Sequence, residues 1–236
     1  MVAWREQSAR NPPRRFRGET YWARPIPAFG DPRARILVVG LAPAAHGGNR
    51  TGRMFTGDES GNFLFRALFE AGLANRPESR RRDDGLALVG ALVSAACRCA
   101  PPDNRPTPEE QENCREYLER ELALLPQRTV LVALGALAFA ACLKVLARAG
   151  AELPQPLPRF AHGAVYPIGT HKLLASYHPS QQNTFTGKLT PVMLREVLGR
   201  AVEEAKAVAV DNPSPRPSPG GRGKFLRRRF APRLIF

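Results

Sequence analysis

The chain has 236 residues, 43% of them hydrophobic, which suits one α/β domain with a sizeable core and excludes a disordered chain by composition. No apolar run reaches the ~18 residues a membrane helix needs, and the opening stretch MVAWREQSARNPPRR has no apolar signal segment, so the expectation is a cytoplasmic protein with no membrane partner. The formal net charge is +14; residues 212–236 contribute seven basic side chains and no acid, and the +7 left on the body suits a partner with a phosphate backbone, although an arginine-rich composition alone would give the same balance.

Residues 1–34 read as an irregular arm rich in Arg and Pro, pinned to the body by Trp4, Phe16, Tyr21 and Trp22. Residues 36–39, ILVV, form the first buried strand. At Gly40 the apolar run stops, and a long loop opens that carries Gly47, Gly48, Gly52, Gly57 and Gly61. Glycine permits positive φ and close approach of backbone to a ligand. His46, Asn49, Arg50, Thr51, Arg53, Thr56 and Asp58 are spaced through this loop around one aromatic, Phe55. A helix over 62–73 closes the unit, and a strand end, glycine-rich loop and helix start make the usual ligand crevice of an open α/β sheet.

Further along, residues 75–84 form a charged loop, and the latter part of 86–96 a second strand. Residues 97–106 are proline-rich. Thr107, Pro108 and Glu110 then supply the N-cap, N1 and N3 residues of a helix running to about residue 124, before Pro126. A strand over 129–134, a helix over 135–149, a Pro154–Pro156–Pro158 loop, a strand over 172–177 and a helix from Thr190–Pro191 to about 208 complete the body. The alternation predicts a single α/β domain over 35–210, a three-layer α/β/α sandwich around a four-stranded, mainly parallel sheet. Loops after the first, second and fourth strands would converge at one sheet edge. Residues 211–236 read as a basic Pro/Gly/Arg-rich disordered tail.

Cys97, Cys99, Cys114 and Cys142 are expected to be reduced thiols, and their spacing is not that of a zinc finger. The glycine-rich loop contains neither G-x-x-x-x-G-K-[ST] nor G-x-G-x-x-G, which ranks a nucleotide-phosphate enzyme low.

The stretch GLAPAAHGGNRTGRMFTGD, residues 40–58, resembles the first motif of the fifth (type B) family of uracil-DNA glycosylases. HPSQQNT, residues 178–184, resembles the second motif, and RCAPPDNRPTPEE, residues 98–110, lies between them as in that family. The resemblance spans about residues 2–208. It implies a monomeric DNA repair glycosylase. The enzyme would hydrolyse the N-glycosidic bond of uracil, and of other deaminated bases such as hypoxanthine or xanthine, in double- and single-stranded DNA. By this resemblance Phe55 stacks on the base, and Asn104 matches O4 and N3–H of uracil. His178 donates to O2 as charge grows there, while Asp58 places the water and stabilises the sugar cation. Gly40 and Ala42 contribute backbone donors beside the base. Leu41 and Ala42 occupy positions where many superfamily relatives carry a polar residue, so the work on water falls to Asp58. Arg50, Arg53 and Lys188 could contact phosphates, and Gln181, Gln182 and Asn183 could enter the minor groove.

The family also binds a 4Fe-4S cluster, for which four thiolates are the usual set. Cys99 and Cys114 match two ligands. The other two come from a C-x-x-C that precedes the segment matched here by Met1-Val2-Ala3-Trp4-Arg5, so the cofactor expected of the family lacks two ligands in this sequence, as a late start or truncation would produce. Each residue also has a plainer reading. Phe55 could be a core aromatic, Asn104 a turn former, His178–Pro179 a strand-end turn, and Asp58 the N-cap of the next helix. The alternative function is a basic DNA-binding protein that has lost catalysis with its N-terminus.

Overall fold

In the computed structural model, which describes residues 1–126 and 129–210, the sheet has six strands rather than four. In chain order they are β1 (Phe29–Gly30), β2 (Ile36–Gly40), β3 (Ala91–Ala95), β4 (Val130–Leu134), β5 (Val165–Ile168) and β6 (His171–Ser176). Their spatial order is β1-β3-β2-β4-β6-β5, with the inner four mutually parallel and the two edges antiparallel. The expected parallel core is therefore present, and the two edge strands are what sequence reading missed. β1 is two residues long, and Gly30 lets its backbone close on Ala91 where a side chain would collide with the carbonyl. β5 carries Pro167, which removes a ladder donor and belongs on an edge.

The helices are α1 (Val2–Arg10), α2 (Gly48–Thr51), α3 (Glu59–Glu70), α4 (Pro108–Leu124), α5 (Ala136–Arg148), α6 (Gln181–Phe185) and α7 (Pro191–Val210). Residues 1–34 are thus not an irregular arm throughout, since α1 and β1 lie inside them. The helix expected from 62 begins at Glu59, because Asp58 caps it by accepting from the Gly61 N–H at 2.9 Å. Thr107 and Glu110 form the anticipated capping box of α4. The expected tail lies outside the described residues.

The inner strands are buried on both faces, as parallel strands between helical layers must be. Ile36, Val38, Val93 and Val132 face α3 and α7, meeting Leu64, Phe65, Leu68, Leu194 and Leu198. Leu37, Val39, Leu131 and Ala133 face the other way, onto Leu118 and Leu122 of α4 and Phe139, Cys142 and Leu146 of α5. Between β2 and β4 the order of the sheet reverses, so the loops at their carboxyl ends part there. That is where an open sheet leaves a crevice.

Candidate active site

The loop after β2 forms the floor of a cleft of about 680 Å³. Leu41, Ala42, Phe55, Asp58, Asn104, His178 and Gln181 line it together, although their positions in the chain span three separate motifs. Backbone hydrogen bonds fix the strand ends beneath: Ala96 N–H donates to the Gly40 carbonyl at 2.9 Å, and Gly135 N–H to that of Ser176 at 2.8 Å.

Phe55 is held in the left-handed region, at φ 51°. Two glycines allow this placement. Gly61 leaves room for the Phe55 carbonyl against the first turn of α3. Gly40 leaves room for the ring, whose Cζ and Cε2 would lie 2.5 and 2.7 Å from a Cβ there. The ring also stands 6.0 Å from that of His178, tilted 34°. Phe55 is accordingly a cleft wall and not a buried core aromatic.

Asp58 caps the next helix and also lines the cleft. Oδ1 caps α3, while Oδ2 occupies the space left by the missing side chain of Gly47, on the cleft side. Burial raises its carboxyl above the ordinary range, opposed by hydrogen bonds from the Gly61 and Ser60 amides. Glu59 is the cleft's other carboxylate, and it is exposed. His178 follows β6, and burial pulls its imidazole down to about 4, so the ring is neutral at pH 7 and donates from one nitrogen only. The Asn183 side-chain amide donates to the His178 carbonyl at 2.8 Å, which ties the second-motif loop back on itself.

Asn104 reaches the cleft from a turn in which Asp103 and Asn104 are both left-handed, at φ 50° and 56°. Asn and Asp tolerate that conformation better than other side chains. The plain turn reading and the base-contact reading are therefore compatible. Ala42 lines the cleft, and Gly40 lies against the Phe55 ring.

The cationic expectations divide. Arg53 is 2% exposed. Its guanidinium holds Asp84 through Nη1 at 2.9 Å and Nη2 at 2.6 Å, and it also donates to Ser79 and Thr56. Against the penalty of its burial, that ion pair and three backbone amides keep Asp84 ionised well below the usual carboxylate range. Arg53 is therefore a buried fastener, not a phosphate contact. Arg50 is committed as well: it donates to the His46 carbonyl at 2.8 Å and to Glu19 at 2.6 Å, and lies over the Phe16 ring at 4.1 Å. Lys188 is exposed with its ammonium 4.9 Å from the Tyr177 ring centre. Gln182 is exposed on α6, and Asn183 spends its amide inside the protein.

Sequence reading missed part of the cleft. Arg15 and Phe16 line it from the N-terminal segment, with His46, Ser60 and Ser180. Tyr21 shares a 2.9 Å hydrogen bond with His46 Nδ1, and burial lowers the His46 proton affinity from its ordinary value. Nothing local in the arm signals this; its aromatics were the one available hint.

Cys99 and Cys114 are not among the residues that line the cleft. Both are buried, and Arg5 Nη1 donates to Cys99 Sγ at 3.0 Å. A hydrogen bond from the Cys97 thiol, which stays protonated, draws Cys114 down to about 6. Among the described residues no three His, Cys, Asp or Glu side chains gather as a metal site. The side chains present do not fit a four-thiolate cluster.

The family model described as "Uracil DNA glycosylase superfamily" matches residues 27–201. Over 202 residues the chain is 56% identical to the "Type-5 uracil-DNA glycosylase" of Thermus thermophilus, covering 85% of this chain and 89% of that one. The protein of the same description from Pyrobaculum aerophilum is 50% identical over 205 residues, covering 87% and 86%. The "Type-4 uracil-DNA glycosylase" of Pyrobaculum aerophilum is 28% identical over 156 residues, covering 66% and 71%. With its doubly wound sheet and its cleft at the carboxyl end of β2, the chain belongs to the uracil-DNA glycosylase superfamily and is similar to its type-5 members.

Proposed function

We propose that the protein hydrolyses the N-glycosidic bond of uracil in DNA and so opens base excision repair. The observation that carries this is the convergence of Phe55, Asp58, Asn104 and His178 on one cleft. A base can be excised only after leaving the stack and entering a pocket. There Phe55 offers a π-face and Asn104 an amide whose oxygen and nitrogen suit N3–H and O4. As the bond from C1′ to N1 breaks, its electron pair departs with the base and charge spreads to O2. The neutral His178 ring can donate its one N–H to that oxygen as a hydrogen bond without bringing a positive charge. The sugar is left cationic. The ionised Asp58 stabilises it, water adds to C1′, and the water's proton passes to the departing base or to solvent.

Leu41 and Ala42 contribute no group able to activate water, so the apolar floor excludes few bases by chemistry. With a cleft of this volume, that favours hypoxanthine and xanthine as further substrates. The test is release of uracil from a labelled duplex, with thymine at the same position as control. Uracil-dependent strand scission after alkali is expected, and none would overturn the reading. Asn104→Ala should slow uracil excision by the equivalent of roughly 1–3 kcal/mol, the usual penalty for a buried base edge left unpaired. Single-turnover kinetics measure it.

A further inference from the structure

The phosphate contacts expected of Arg50 and Arg53 cannot be made as the chain is folded. Arg53 is enclosed with Asp84, and Arg50 is held by Glu19 and two carbonyls. The cation that lines the cleft without such a commitment is Arg15. It is exposed, and among the described residues it forms no ion pair. Its guanidinium lies 4.7 Å from the Phe16 ring centre. Arg50 also lies over the Phe16 ring, at 4.1 Å, and that ring stands 6.2 Å from His46. Arg50 is anchored by Glu19, so the shelf beneath Arg15 is built from paired groups and adds no competing free charge.

We propose that Arg15, stacked on Phe16 at the mouth of the cleft, binds a DNA phosphate next to the flipped nucleotide. The proposal rests on the glycosylase reading of the same cleft and adds to it a binding residue from the N-terminal segment. When the base enters beside Phe55 and the sugar reaches Asp58, the adjoining phosphates stay at the entrance, where Arg15 stands. A guanidinium whose face is occupied by an aromatic ring keeps its N–H edge free, and that edge matches phosphate oxygens. The charge already reaches into the cleft: burial lowers the proton affinity of His46, and Arg15 adds to that lowering.

The experiment measures binding of the full chain to a duplex bearing a 2′-fluorinated deoxyuridine, which resists cleavage, across a range of salt concentrations. Each phosphate neutralised contributes about 0.9 to the slope of log K against log salt. Arg15→Ala should weaken binding to this duplex and reduce that slope by about 1. Arg17→Ala, an exposed cation of the same segment that does not line the cleft, should leave the slope unchanged. An unaltered slope in Arg15→Ala, or an equal loss in Arg17→Ala, would overturn the proposal. Failure of the parent to release uracil would instead overturn the glycosylase reading, so the two failures are separately visible.

Discussion

At the scale of single residues, the cleft depends on where side chains are missing. Gly40 does not have a positive φ, so an alanine there meets no backbone obstacle; it meets the Phe55 ring. Gly40→Ala should therefore push the ring off its position and lower uracil excision, on the order of 10²-fold if the displacement approaches 1 Å. A double-mutant cycle checks the cause. If Gly40 acts only through Phe55, then Gly40→Ala added to Phe55→Ala should slow excision no further. Additive losses would show that Gly40 serves the site in another way. The motif could suggest that these glycines matter, but not which neighbour each one accommodates. Gly47 and Gly61 make room for the Asp58 carboxylate and the Phe55 carbonyl, contacts that exist only once the loop has closed.

At the scale of elements, the Phe55 loop is fastened to the segment leading into β3. Arg53, Thr56, Ser79 and Asp84 form one buried network, in which Thr56 and Ser79 hydroxyls are 2.6 Å apart. Asp84 also accepts N–H bonds from Arg80, Arg81 and Leu86, so one carboxylate orders a charged turn and the Phe55 loop together. Removing one partner of a buried pair leaves the other charge unpaired. Asp84→Ala should therefore destabilise the fold by about 3–5 kcal/mol, read from urea unfolding. A loss below 1 kcal/mol, the usual worth of an exposed pair, would contradict this assignment. The network also explains why Arg53 was misread. An arginine in a glycine-rich loop looks solvated, and its partner stands 31 residues away with no periodic pattern to connect them. Element identity was far more legible: the inner strands are apolar runs bounded by Gly or Pro, and Thr107–Glu110 announces α4 directly. β1 and β5 were hidden because an edge strand of two residues, or one containing Pro167, carries little alternation.

For the whole molecule, two properties follow from groups that act at a distance from the cleft. Positive charge is expected to make DNA binding fall with salt. The cysteines are expected to decide the cofactor. The sequence offers Cys99 and Cys114 where the family resemblance places cluster ligands, but Cys99 faces Arg5, and among the described residues no three ligands assemble. We expect this 236-residue chain to carry well under one 4Fe-4S cluster per molecule after anaerobic purification. Iron and sulfide assays measure this, and four irons per chain with a visible absorption band near the usual charge-transfer region would contradict it. Site legibility differs at this scale too. Phe55, Asp58, Asn104 and His178 were recoverable because three motifs point to one sheet edge, whereas Arg15 enters from a segment with no motif of its own.

The central claim is that Asp58 acts on the reaction as an ionised carboxylate while also capping α3. Asparagine caps about as well as aspartate and lacks the charge. Burial raises the Asp58 carboxyl, so folding favours its protonated form; the stability it contributes is present in acid and is lost as pH rises through the folded value. Asp58→Asn should therefore be no less stable than the parent at neutral pH. Catalysis has the opposite requirement, and the parent's rate should fall as pH drops through the raised carboxyl value. The deciding measurement is the single-turnover rate of uracil excision by saturating Asp58→Asn across pH, beside Glu59→Gln. A rate about 10²–10⁴-fold below the parent at neutral pH, with the acidic limb abolished and Glu59→Gln unimpaired, is the predicted result. A parental rate in Asp58→Asn would show that Asp58 only caps the helix, and would contradict the mechanism.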